Sequence, residues 1–122
     1  MKPIHFKIEN YDKRILDKNS KISIILDHVN GAKNLAMGIV KIESKSSTPY
    51  HCRDVEEVIY VLEGESIIKT RTDEYFITTG ETILIPAGIE HCHINNGVRE
   101  LKQIYIFSPQ GPEKELRKLE KI

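Results

Sequence analysis

Apolar and polar residues alternate along most of this chain, and glycine, proline or asparagine interrupts the alternation at short intervals. Period-two alternation marks a half-buried β-strand, because successive side chains of a strand point to opposite faces. Residues 3–8 (PIHFKI) set Ile4, Phe6 and Ile8 against His5 and Lys7, which predicts a first strand. Residues 10–19 are polar and punctuated and predict a loop with a brief extended piece. Residues 21–29 (KISIILDHV) are rich in β-branched side chains and predict a strand with Ile22, Ile24, Leu26 and His28 on one face. Asn30-Gly31 is a turn signal, since Gly31 can take positive φ at no steric cost. Further strands are expected at 35–43, 58–62, 66–71, 75–78, 82–85, 91–95 and 100–107, with turn chemistry between them. Only 112–122 reads as helical: Pro112 suits a first turn, and Leu116, Leu119 and Ile122 recur every third residue among charges.

About ten short strands with Gly-, Pro- and Asn-rich turns argue for an all-β sandwich or barrel. Helices do not alternate with the strands, so a parallel sheet is not expected, and closure into a barrel removes exposed edges. At 122 residues the chain is expected to form one domain, 1–122.

Charge narrows the function classes. Lys plus Arg total 18 and Asp plus Glu total 18, so no net charge draws the chain to nucleic acid or an acidic membrane. No apolar run approaches the ~20 residues that span a bilayer. The N-terminal residues MKPIHFKIENYDKR carry no apolar core of a secretory signal, and two cysteines make no disulfide framework, so the cytoplasm is the expected compartment.

The candidate chemistry lies in two stretches. The first reads HCRDVEE over 51–57 and leads into an apolar run ending at Gly64; the second reads GETILIPAGIEHCHIN over 80–95. Alternation puts His51 and Arg53 on one face with Cys52 on the other, and puts His91, His93 and Asn95 together with Cys92 turned away. As neighbours in a closed sheet, two such strands gather several imidazoles and the Glu57 carboxylate around one point, as a metal site in a barrel requires.

These two stretches resemble the motifs of the cupin superfamily, in its small single-domain form. The second family motif, G(X)5PXG(X)2H(X)3N, is matched in full by Gly80, Pro86, Gly88, His91 and Asn95. The first, G(X)5HXH(X)3,4E(X)6G, is matched by His51, Glu57 and Gly64, with Lys45 at the opening glycine and Arg53 at the second histidine. The resemblance implies a jelly-roll β-barrel (a double-stranded β-helix), here with a short C-terminal helix. It also implies one divalent metal inside, with His51, Glu57 and His91 as the ligands carried over. Two imidazoles and a carboxylate suit Fe, Ni, Zn or Cu, and the carboxylate also accepts Mn.

Arg53 opens three alternatives. It clamps a substrate carboxylate or phosphate, or it pairs with Glu57 and fills the metal's place, or it lies at the rim. His93 has alternatives too: it supplies the missing nitrogen, acts as a general base, or lines the pocket as a structural imidazole. Cys52 and Cys92 form a redox-sensitive cross-strand pair, a packing pair within a dimer interface, or two reduced, buried small residues.

Two functions are open at this level. One is a metal-dependent enzyme acting on a small polar or anionic molecule by dioxygenase-, isomerase-, lyase- or decarboxylase-type chemistry. The other is a non-catalytic small-molecule binder or sensor in which Arg53 replaces a ligand and no metal is held. For either, the resemblance implies a homodimer formed through exposed sheet faces, with residues 3–8 as a candidate strand for a partner's edge.

Overall fold

The computed structural model describes all 122 residues. Two antiparallel sheets lie face to face. The larger has the order β11-β1-β2-β3-β10-β5-β8, formed by β1 (Asp12–Asp17), β2 (Ser20–Leu26), β3 (Ala36–Ile42), β5 (Glu56–Glu63), β8 (Thr82–Ile85), β10 (Leu101–Ser108) and β11 (Glu120–Lys121). The smaller has the order β4-β9-β6-β7, formed by β4 (Ser46–Ser47), β6 (Glu65–Thr70), β7 (Glu74–Thr78) and β9 (His91–Asn95). The arrangement is the expected jelly roll.

Alternation builds the core. In β10 the inward positions Leu101, Gln103, Tyr105 and Phe107 are buried, while Lys102, Ile104 and Ile106 face outward and are half-exposed. Ile22 and Ile24 of β2, Ile59 of β5, Ile68 of β6 and Ile85 of β8 meet Tyr105 and Phe107 in one apolar cluster between the sheets. Ile42, Val61 and Leu101 close one end as a smaller cluster.

Three expectations at the termini are corrected. Residues 3–8 do not form a strand: Ile4 and Ile8 are exposed, and a 3-10 turn, Ile8–Asn10, follows. The place an extra strand would take beside β1 is occupied by β11, through the pairs Arg14↔Lys121 and Ile15↔Glu120. The predicted loop at 10–19 instead contains β1, which folds onto β2 through a turn in which Asp17 accepts from the Asn19 N–H at 2.8 Å. Its polar sequence hides a strand because long-range pairing on both edges satisfies its backbone.

The predicted helix at 112–122 is one turn, α1 (Glu113–Leu116), before the chain turns into β11. Arg14 explains the early stop. Its guanidinium donates to the carbonyls of Arg117 and Leu119 at 2.8 and 2.7 Å, oxygens that a longer helix would have used internally. The segment packs onto the barrel: Leu116 is buried in the main cluster and Leu119 lies against it.

Candidate metal centre

The chain crosses from the smaller sheet to the larger between His51 and β5, and returns between β8 and β9. The two crossings run side by side. His51 and His91 form an antiparallel bridge, each N–H donating to the other's carbonyl at 2.8 and 2.9 Å. Gly88, at φ +86°, turns its N–H to the carbonyl of Arg53 at 2.8 Å. That backbone conformation is why the Pro86-Ala87-Gly88 turn needs a glycine at its end. Thr48 fixes the next step of β9: its N–H donates to the His93 carbonyl at 2.9 Å, and its hydroxyl accepts from the His93 N–H at 3.0 Å. Glu57, at the start of β5, pairs with Ile85 and Phe107, so its carboxylate enters from the opposite sheet.

Four side chains therefore converge. One ligand atom from each of His51, Glu57, His91 and His93 lies within 4.8 Å of all the others. The rings of His51 and His91 are 4.3 Å apart by centroid, and each is about as far as the other from His93, at 5.3 and 5.2 Å. Glu57, His91 and His93 are buried, and His51 is half-buried at the opening.

Backbone carbonyls select the tautomers of two rings. Nδ1 of His91 lies 2.8 Å from the Ile89 carbonyl and Nδ1 of His51 lies 3.2 Å from the Pro49 carbonyl. A carbonyl only accepts, so each Nδ1 carries the proton, and each neutral ring offers the lone pair of Nε2 to the centre. Nε2 of His91 lies 3.2 Å from Oε1 of Glu57, yet neither atom has a hydrogen-bond partner and both are shielded from solvent. Two buried acceptors side by side are unfavourable until a cation lies between them. The donor set of imidazoles and a carboxylate fits a borderline divalent metal.

The electrostatics separate His51 and His93 from His91. Burial, reinforced by Arg53 and His91, lowers the pKa of His51 to about 4, and burial lowers that of His93 to about 3. Both rings are neutral near pH 7 and keep a lone pair. Burial would also lower His91, but Glu57 and the Ile89 carbonyl outweigh it and its pKa is raised, so without a metal a proton on Nε2 shared with Glu57 is favoured and a metal displaces it. Burial would raise Glu57, but the surrounding imidazoles hold it below its usual value, so the carboxylate is charged.

Arg53 settles among its alternatives in part. No ion pair joins it to Glu57. Its guanidinium carbon lies 5.7 Å from the centroid of the Phe107 ring, and its buried Nε has no partner. Together with His51, Glu57 and His93 it lines a cavity of about 270 Å3 whose other walls are largely apolar. Cys52 and Cys92 are free thiols, one exposed and one buried. With His51 opposite His91, antiparallel pairing sets residue 52 opposite 90 and residue 92 opposite 50, so the two cysteines are out of register.

Sequence reasoning named His51, Glu57 and His91 as ligands, with His93 and Arg53 beside them; the fold gathers the four ligand candidates into one cluster, and Arg53 lines the cavity beside His51, Glu57 and His93. It missed Gln103, whose side-chain amide nitrogen lies 3.0 Å from Nδ1 of His93. The signal was present: in a strand whose other inward residues are Leu101, Tyr105 and Phe107, an amide at an inward position needs a polar partner.

A family model described as "Cupin domain" matches residues 38–107. No curated protein sequence matches the chain. Among solved structures, an RmlC-like cupin from Shewanella frigidimarina is 18% identical, with a TM-score of 0.76 over 92% of this chain and 96% of that one. The polyketide cyclase RemF from Streptomyces resistomycificus is 23% identical, with a TM-score of 0.76 over 92% of this chain and 82% of the other. KdgF from Halomonas sp. is 15% identical, with a TM-score of 0.79 over 93% and 99%. At these identities the likeness is one of fold.

Proposed function

The chain belongs to the cupin family, whose model spans residues 38–107, and from that premise we propose that it holds one divalent transition metal through His51, Glu57, His91 and His93 to act on a small anionic molecule. The observation that carries this reading is the pair of buried, partnerless atoms at the centre, Nε2 of His91 and Oε1 of Glu57. His93 takes the place that Arg53 vacates in the family's first motif, so three imidazoles and one carboxylate converge although one motif histidine is absent. Its pKa near 3 suits a lone-pair donor better than a proton carrier at neutral pH.

When bound, such a metal supplies Lewis acidity and, for a redox-active ion, reactivity towards O2. The chain's own residues do the rest. Arg53 lines the cavity, where its guanidinium binds a carboxylate or phosphate and orients it towards the centre. Phe107 stacks near Arg53 and holds it, and the apolar walls exclude water. At about 270 Å3 the cavity suits a compact ligand. Dioxygenase, isomerase and lyase chemistries all remain compatible with this arrangement, because the fold itself serves many reactions.

Metal analysis of protein purified without chelator tests the reading. Close to one equivalent of a transition metal is expected. Less than roughly a tenth of an equivalent, with no uptake of added Fe, Mn, Ni, Zn or Cu, defeats it. Small carboxylic acids should raise the melting temperature of the metal-loaded protein and fail to do so in Arg53→Gln.

The protomer is proposed to act as a homodimer in the cytoplasm. Met37 and Ile39 of β3, Val58 and Tyr60 of β5, and Ile104 and Ile106 of β10 lie in register on the outer face of the larger sheet. This uncharged surface is suited to a second copy of the same face. Two free thiols fit a reducing compartment.

A further inference from the structure

His51 and His91 have their Nδ1 protons fixed by carbonyls two residues upstream, which cannot donate. His93 has no such carbonyl. Its Nδ1 faces the side-chain amide of Gln103, which reaches it from the opposite sheet. An amide has a donor end and an acceptor end of nearly the same shape, so this contact can specify either tautomer.

We propose that Gln103 is a positioning residue whose amide orientation sets the tautomer of His93, and thereby whether that ring offers the centre a lone pair or an N–H. The inference rests on the proposed metal centre and assigns a residue outside it. In the orientation observed, Nε2 of Gln103 points at Nδ1 of His93 at 3.0 Å, while the amide's Oε1 is buried without a partner. Nδ1 is then the acceptor, and the ring's proton sits on Nε2, facing His51, Glu57 and His91. A ring in this state turns an N–H rather than a lone pair to the centre.

Turning the amide by half a rotation reverses every role. Oε1 accepts from Nδ1–H, and Nε2 of His93 presents its lone pair to the centre. The heavy atoms keep their outline; the oxygen that lacked a partner gains one and the amide nitrogen gives its own up, so the two orientations are closely balanced. Gln103 is 1% exposed, so water does not compete for either end. The metal-free and metal-loaded proteins therefore differ in one amide orientation and one ring tautomer.

Long-range proton–nitrogen correlation of the imidazole nitrogens reads the tautomer directly, in apo and Zn-loaded wild type. The expected result is Nε2–H on His93 without metal and Nδ1–H with Zn. Zn affinity is measured alongside for wild type, Gln103→Leu and Gln103→Glu. Loss of the outer partner in Gln103→Leu should weaken binding roughly 10–100-fold, whereas Gln103→Glu, acceptor-only when ionised, should bind at least as tightly as wild type. An unchanged His93 tautomer on Zn loading, or equal affinities in all three proteins, overturns the inference. If the wild type takes up no Zn, the metal centre itself falls. The role of Gln103 is then still decided by whether Gln103→Glu moves the apo His93 proton to Nδ1. Should that variant not fold, the wild-type tautomer in the two states decides alone.

Discussion

Nε2 of His91 stands 3.2 Å from Oε1 of Glu57, both buried and both without a hydrogen-bond partner. A metal ion or a proton between them removes the conflict, and a donor in place of the carboxylate does so without either. Glu57→Gln should therefore fold, because its amide N–H can donate to His91. It should also lose metal affinity by more than the roughly 10–100-fold that an outer-sphere change costs, since a charged ligand is gone. Calorimetric titration with Zn, beside a melting curve in chelator, checks both halves; a variant that binds Zn as tightly as wild type sinks the ligand assignment.

Lys45 adopts φ +59°, the left-handed region that L-residues with a Cβ avoid. It occupies the position where the family motif opens on glycine, and its Nζ donates to the Asn96 carbonyl at 2.6 Å at the surface. Lys45→Gly should stabilise the protein by about 0.5–1 kcal/mol, the left-handed penalty removed less the added chain entropy. A melting temperature unchanged or lowered would show that the lysine contact outweighs the backbone term.

Asp27 is completely buried and accepts from both Nε and Nη2 of Arg117 at 2.7 and 2.8 Å, and from the Val29 N–H at 3.0 Å. Burial would raise its pKa, but these donors hold it below 3.8. A lowered folded-state pKa contributes stability that is present above the unfolded value and lost as pH falls through the folded one. Acid unfolding should therefore steepen below about pH 4. Arg117→Met leaves the buried carboxylate unpaired and should cost about 3 kcal/mol near neutral pH. Urea melts of both proteins across the acid range measure this, and a variant as stable as wild type would refute the role of the Asp27–Arg117 pair.

The outer face of the larger sheet predicts the oligomeric state. Ile104 lies between Ile39 and Tyr60 on neighbouring strands, at the middle of the uncharged surface. Light scattering should give twice the chain mass for wild type and the single-chain mass for Ile104→Lys, because an unpaired charge at the centre of an apolar contact is costly. A monomeric wild type rules out this interface.

The sequence by itself determined the strands from β2 to β10 apart from the short β4, most of the turns and three residues of the centre. Alternation and turn chemistry are local, and the spacings from His51 to Gly64 and from Gly80 to Asn95 survive whatever surrounds them. Tertiary structure decided what depends on segments far apart in the chain. Residues 12–17 become a strand only because β2 and β11 flank them, and residues 117–122 leave the helix only because Arg14 captures their carbonyls. His93 enters the cluster that Arg53 left short, and Gln103 meets His93, because the two sheets close on each other. A strand's own sequence fixes which face each side chain takes; which other side chain waits across the gap is fixed by sheet pairing, which carries no local trace.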